Sequence, residues 1–146
     1  MVLWRISRHQ DLSGTGGLRA SGRWHYAGQP VVYLSESPAS ALLEVCVHTA
    51  ANDVPPSFTL LRIEGPDFEF AQVTESDLPD HWRVRFETTQ EMGTKWLRQN
   101  RAVLLQIPSA IVPETSNYLF NPAHQDAGDF RISEALTYPF DVRIKQ

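Results

Sequence analysis

Glycine and proline divide this chain into pieces too short for most kinds of helical protein. Pro108, Pro113, Pro122 and Pro139 cut up the C-terminal part, Gly65-Pro66 marks a turn in the middle, and Gly14, Gly16, Gly17 and Gly22 crowd an early loop. Proline lacks an amide donor and fixes φ, while glycine loses the most freedom on ordering, so long regular elements do not run through such positions. Short apolar runs remain between the breakers. Val2–Ile6, residues 31–34, 58–63, 68–73 and 102–107, and segments near Phe130 and Val142 read as strands. The two runs flanking Gly65-Pro66 are expected to form a hairpin. Only two stretches carry a helix start. Ser37-Pro38 supplies an N-cap and a proline for the first helical position, predicting a helix to Ala50 or Ala51; Thr88 with Glu91 three residues on has the capping-box spacing, predicting a second over 91–100. The fold class expected is α+β, rich in strands with few helices.

A length of 146 residues suits one domain with a genuine core, and 42% hydrophobic with 21% charged residues is the composition of a folded globular chain. Cys46 is the lone cysteine, which excludes an intrachain disulfide and a thiolate metal cage. The first residues show no basic segment followed by a long apolar run, and no window approaches membrane-spanning length. A cytoplasmic protein with no membrane partner is expected. The net charge of −4 opposes direct nucleic-acid binding, which needs a basic stripe for phosphates. Charge is uneven, however: residues 1–30 hold four arginines against Asp11 alone, while the rest holds 9 basic and 16 acidic residues. Such an arginine patch fits either a compact anion gripped by guanidinium forks or a merely solvated face.

Among candidate chemical residues, Glu44 stands out. On the helix starting at Pro38, residues Leu42, Val45, Cys46 and Thr49 share an apolar stripe extended by Leu43 and Val47, which predicts a largely buried helix with Glu44 opposite the stripe, on the surface. Arg23 follows Gly22 in a loop, and Tyr33 ends an apolar strand. Asn117, Tyr118 and Asn121 sit in a loop-prone segment and read as turn formers. Gly14-x-Gly16-Gly17 lacks the third glycine of a dinucleotide fingerprint, no phosphate loop with Gly-Lys-Ser/Thr exists, and Ser116 is not in a nucleophile elbow. The five histidines show no paired metal spacing, so no metal is expected.

Three motifs in order, Gly22-Arg23-Trp24, Tyr33-Leu34-Ser35-Glu36-Ser37-Pro38 leading to Leu42-Leu43-Glu44, and Ser116-Asn117-Tyr118-Leu119-Phe120-Asn121-Pro122, resemble the RES domain. That bacterial family is named for an arginine, a glutamate and a serine, which fall here on Arg23, Glu44 and Ser116. The family's usual asparagine after the tryptophan is His25 in this chain. The resemblance implies a single RES domain over 1–146 with an ADP-ribosyltransferase-like core. It implies a toxin that takes NAD+ as its substrate and is held in check by a cognate Xre-type antitoxin. It further implies that Glu44 faces a cleft and contacts the ribose next to nicotinamide, that Arg5 and Arg23 meet the pyrophosphate, and that Tyr33 stacks on nicotinamide or ribose. Ser116 would hydrogen-bond NAD+ or Glu44, with Asn117 beside it in the binding site. Cleavage of the nicotinamide–ribose bond by water or phosphate is the expected reaction. The alternatives are transfer of ADP-ribose to a protein and a non-catalytic nucleotide- or partner-binding module.

Overall fold

The computed structural model describes residues 1–67 and 70–145. Its strands are β1 (Val2–Ile6), β2 (Val32–Ser35), β3 (Ser57–Glu64), β4 (Ala71–Gln72), β5 (Leu104–Pro108), β6 (Ser116–Phe120) and β7 (Arg131–Pro139). They form one sheet in the order β4-β5-β6-β2-β1-β3-β7, antiparallel at every junction but β4 with β5. Helices α1 (Thr15–Arg19), α2 (Pro38–His48) and α3 (Phe86–Gln99) complete an α+β fold.

Successive strand residues point to opposite faces, and the sequence uses this to build two cores. Tyr118 and Phe120 of β6 join Leu3, Val32, Leu34, Leu61 and Phe130 in one cluster. Leu119, between them, joins Trp24, Leu105, Ile107 and the α3 residues Trp96 and Leu97 in the other. Leu61, Leu104 and Leu119 are fully buried, each worth about 1.5–3 kcal/mol of transfer free energy. Helix α3 sits tightly on its face: a Cβ at Gly93 would overlap the Trp24 carbonyl.

The two helices show how far local signals reach. Ser37 caps α2 as expected, its Oγ accepting from the Ser40 amide while Ser40 Oγ accepts from the Ser37 amide; the helix stops at His48, with Thr49 as C-cap, short of Ala50. The capping box at Thr88 does not form. Arg85 takes the N-cap position without a side-chain bond, and α3 starts at Phe86 because tertiary contacts support its first turn: Thr89 Oγ1 donates to the Arg23 carbonyl and Gln90 Nε2 to that of Gly22.

Other expectations are corrected by pairing. The hairpin about Gly65-Pro66 is absent, because β3 has β1 on one edge and β7 on the other, while β4 lies at the far side of the sheet against β5. The expected strand over 68–73 is reduced to Ala71–Gln72, with residues 68 and 69 outside the described residues. Of the residues read as turn formers, Asn117 and Tyr118 lie in a central strand, Ser116–Phe120, paired on both edges, and Asn121 directly follows it. Near Val142 the chain makes a single 3-10 turn, Val142–Ile144, where Asp141 accepts from the Arg143 amide. The glycine loop contains the short α1. No helix among the described residues is long and apolar enough to cross a membrane.

Candidate active site

β1 and β2 are registered at a single pair, Trp4 with Ser35. Continuing that antiparallel register would join Arg5 to Leu34 and Ile6 to Tyr33, and neither pair belongs to the ladder. All four residues line a cleft of about 520 Å³ instead. The cleft thus opens where two neighbouring strands part, with α2 along one side and the ends of β5 and β6 along another.

Glu44 reaches this cleft from α2. Ala41, Glu44, Val45 and His48 line it together, and their i, i+3, i+4, i+7 spacing is one helical face. The expected surface position is therefore corrected. Only Ser40, Ala41 and Cys46 are buried on this helix, Leu43 and Val47 are exposed, and the face carrying Glu44 is the one turned to the cleft. Two donors fix the carboxylate. Ser109 Oγ donates to Glu44 Oε1 at 2.9 Å, and Asn117 Nδ2 donates to the same oxygen at 2.8 Å. Ser109 is itself fully buried and accepts from the amides of Ile111 and Val112. The amide of Asn117 that donates to Glu44 leaves Asn117 Oδ1 buried and without a hydrogen-bond partner among the described residues.

Arg23 and Trp24 form the tip of a tight turn closed by the Gly22 amide donating to the His25 carbonyl. Trp24 packs into the core against Trp82, as a large aromatic at such a position is expected to. Arg23 lines the cleft, donates from Nη1 to the Arg83 carbonyl at 2.8 Å and lies 4.5 Å above the Phe86 ring. Burial pulls its pKa below the ordinary value, partly offset by the charge of Glu44. The turn is locked to the sheet by Tyr33. Its Oη accepts from the Trp24 amide at 3.1 Å and lies 2.7 Å from His25 Nδ1. His25 Nε2 lies 2.8 Å from the Ala20 carbonyl, which can only accept, so the neutral ring carries its proton on Nε2 and takes the Tyr33 proton on Nδ1. Burial pushes Tyr33 up to about 12 and lowers His25, keeping both neutral. Gly22 is required here, since a Cβ would stand 2.5 Å from Tyr33 Oη.

Of the residues singled out from sequence, Arg5, Arg23, Tyr33, Glu44 and Asn117 meet in the cleft. Ser116 does not line it. Strand alternation turns Ser116 to the opposite face from Asn117, and its Oγ accepts from Gln106 Nε2 at 2.7 Å. The serine on Glu44 is Ser109, which sequence reading passed over; its one signal was a polar residue directly after a buried strand. His25, which departs from the family's usual asparagine, does not line the cleft but holds Tyr33 from behind.

The cleft thus brings a fixed carboxylate together with two arginines and a tyrosine. A family model described as RES domain matches residues 2–141. A protein named Toxin Res from Pseudomonas putida is 50% identical over 137 residues, covering 90% of this chain and 92% of that protein. One named Prs ADP-ribosylating toxin from a Sphingobium species is 35% identical over 152 residues, covering 97% of this chain and 94% of that protein. A chain in the solved Mycobacterium tuberculosis MbcT–MbcA toxin–antitoxin complex has the same fold, with a TM-score of 0.77 at 19% identity over 99% of this chain and 86% of that chain. The chain belongs to the RES domain family.

Proposed function

We propose that this chain is the toxin of a toxin–antitoxin pair and that its cleft cleaves the nicotinamide–ribose bond of NAD+. The observation that carries the reading is Glu44, held by one oxygen between Ser109 and Asn117 in a cleft that also presents Arg23 and Tyr33. Breaking the bond from C1′ of the ribose to the pyridinium nitrogen leaves an oxocarbenium-like centre. The bonding electron pair departs with nicotinamide, which becomes neutral, so no general acid is needed. A preorganised carboxylate beside that centre favours the transition state over the ground state, because the positive charge moves onto the ribose only as the bond stretches. Water then adds through its oxygen to C1′ and releases a proton, giving ADP-ribose; phosphate would give the corresponding phosphate ester.

The rest of the cleft suits the same substrate. Tyr33 offers a ring face for nicotinamide, the guanidinium groups of Arg5 and Arg23 suit a pyrophosphate, and the unpartnered Asn117 Oδ1 is an acceptor for a ligand N–H or O–H. A second reading has its own support. The relative named an ADP-ribosylating toxin favours a protein as acceptor in place of water, with the same bond broken. A toxin of this kind requires restraint in its own cell, and the toxin–antitoxin complex sharing the fold supports a cognate antitoxin, of the Xre type that the RES resemblance implies. Incubating the purified chain with NAD+ tests the reaction. Release of nicotinamide with free ADP-ribose supports cleavage by water, label retained on protein supports transfer, and intact NAD+ contradicts both.

A further inference from the structure

Arg23 meets the start of α3 at three points, and two of them grip its side chain rather than its backbone. Its carbonyl accepts from Thr89 Oγ1, its Nη1 donates to the Arg83 carbonyl at 2.8 Å, and its guanidinium carbon stands 4.5 Å from the centre of the Phe86 ring. We propose that Phe86, with the Arg83 carbonyl, is a positioning platform for Arg23: it holds the guanidinium at the cleft with its charge uncancelled, ready for the diphosphate of a ligand. The inference rests on the NAD+ reading of the cleft and adds to it a residue that touches no substrate.

Three observations carry it. Phe86 is 47% exposed, belongs to neither core cluster and does not line the cleft. A phenylalanine left that far in water gains little from burial, whereas a guanidinium within about 6 Å of a ring centroid is attracted to the π face. The fold also fixes the platform. Phe86 opens α3 one turn ahead of Thr89 and Gln90, so that ring, hydroxyl and amide fall on the helical face that meets the 22–23 turn. Just before it, the amides of Val84 and Arg85 donate to the His81 carbonyl, with His81 in the left-handed region at φ 63° and Trp82 buried against Trp24. That turn presents the Arg83 carbonyl to Arg23, and the Arg83 side chain is tied back to Glu75 at 3.2 Å. Finally, both partners of the guanidinium are neutral, and Arg23 forms no ion pair among the described residues. A carboxylate would fix the side chain and cancel its charge. A carbonyl takes one N–H and a ring takes one face, which leaves the full charge and the remaining edge for an incoming anion.

The test pairs kinetics with binding. Phe86→Leu keeps an apolar, helix-forming side chain and removes the ring face, while Phe86→Trp keeps the face. Steady-state nicotinamide release from NAD+ and calorimetric binding of ADP-ribose, which carries the diphosphate and no nicotinamide, are measured on both variants, alone and in the Arg23→Ala background. The expected result for Phe86→Leu is a rise of roughly 3- to 10-fold in KM and in the ADP-ribose Kd, with kcat within about 2-fold of wild type. Phe86→Trp should keep both constants near wild type, and Phe86→Leu should add nothing once Arg23 is gone. Unchanged constants, a change in kcat alone, the same loss in the Arg23→Ala background, or a Phe86→Leu protein that does not fold would each overturn the platform. A wild type that binds ADP-ribose but leaves NAD+ intact would overturn the cleavage reading, while the binding arm still decides the role of Phe86. One that binds neither would overturn both.

Discussion

Replacing Ser109 and Ser116 separately by alanine distinguishes the site drawn from the structure from the one drawn from sequence resemblance. Ser109→Ala removes one of two donors from Glu44 Oε1, leaving Asn117 as the other, and deprives the Ile111 and Val112 amides of their acceptor. A hydrogen bond to a charged group contributes about 1.5–3 kcal/mol. If half or more of that acts on the placement of the carboxylate in the transition state, turnover falls by roughly 3- to 150-fold at 1.4 kcal/mol per decade. The two amides add about 1–2 kcal/mol of lost stability, which is a few degrees of melting temperature for a chain of this size. Ser116→Ala removes a neutral bond to Gln106 on the other face of β6, and turnover should stay within roughly 2-fold, since such a bond is worth about 0.5–1.5 kcal/mol to folding alone. Nicotinamide release measured well below both melting temperatures reads the difference. A Ser109→Ala protein with wild-type turnover, beside a Ser116→Ala protein without it, would refute the assignment of Ser109 to Glu44.

Two further outcomes follow from the turn that carries Arg23. Arg23→Ala should lower kcat/KM for NAD+ by roughly 10- to 150-fold, the range for one charge-assisted bond, with most of the loss in KM if Arg23 positions the pyrophosphate; steady-state kinetics on the folded variant checks this. His25 gives a pH dependence of stability. Burial lowers its pKa in the folded state below the ordinary 6.5, so the unfolded chain binds the proton more readily. The stabilisation is present above pH 6.5 and is lost as pH falls through the lowered folded value, where a protonated Nδ1 could no longer accept from Tyr33. Melting temperatures measured from pH 7.5 to 5 should fall more for the wild type than for His25→Asn; identical slopes would remove His25 from the account.

The order of elements along the chain was legible where the signal is local. Ser37-Pro38 set the start of α2 because capping and a fixed φ act within one turn, and the run from Val2 formed the strand it resembled. Pairing partners were not legible, since β3 next to β1 and β7, and β6 between β5 and β2, depend on contacts far apart in sequence. The start of α3 was misplaced for the same reason: Thr89 and Gln90 bond the 22–23 turn, some 66 to 68 residues away, and this outweighs a local capping pattern. The site divides in the same way. Glu44, Arg23 and Tyr33 carry recognisable neighbours in sequence, whereas Ser109 meets Glu44 only because β5 ends beside α2. Helical periodicity misled at Glu44, since a helix bordering a cleft has a polar face turned inward.

The central claim is that Glu44 acts by charge on the breaking nicotinamide–ribose bond. Glu44→Gln preserves the shape of the side chain and an oxygen able to accept from Ser109 and Asn117, but removes the negative charge that matters as the ribose becomes cationic. Calorimetric NAD+ binding and nicotinamide release, measured on the same preparations of wild type and variant, test this directly. The Kd should stay within a few-fold of wild type while turnover falls by at least about 100-fold, the scale for losing one preorganised electrostatic contact. A Glu44→Gln protein that binds NAD+ and still releases nicotinamide at near the wild-type rate would contradict it.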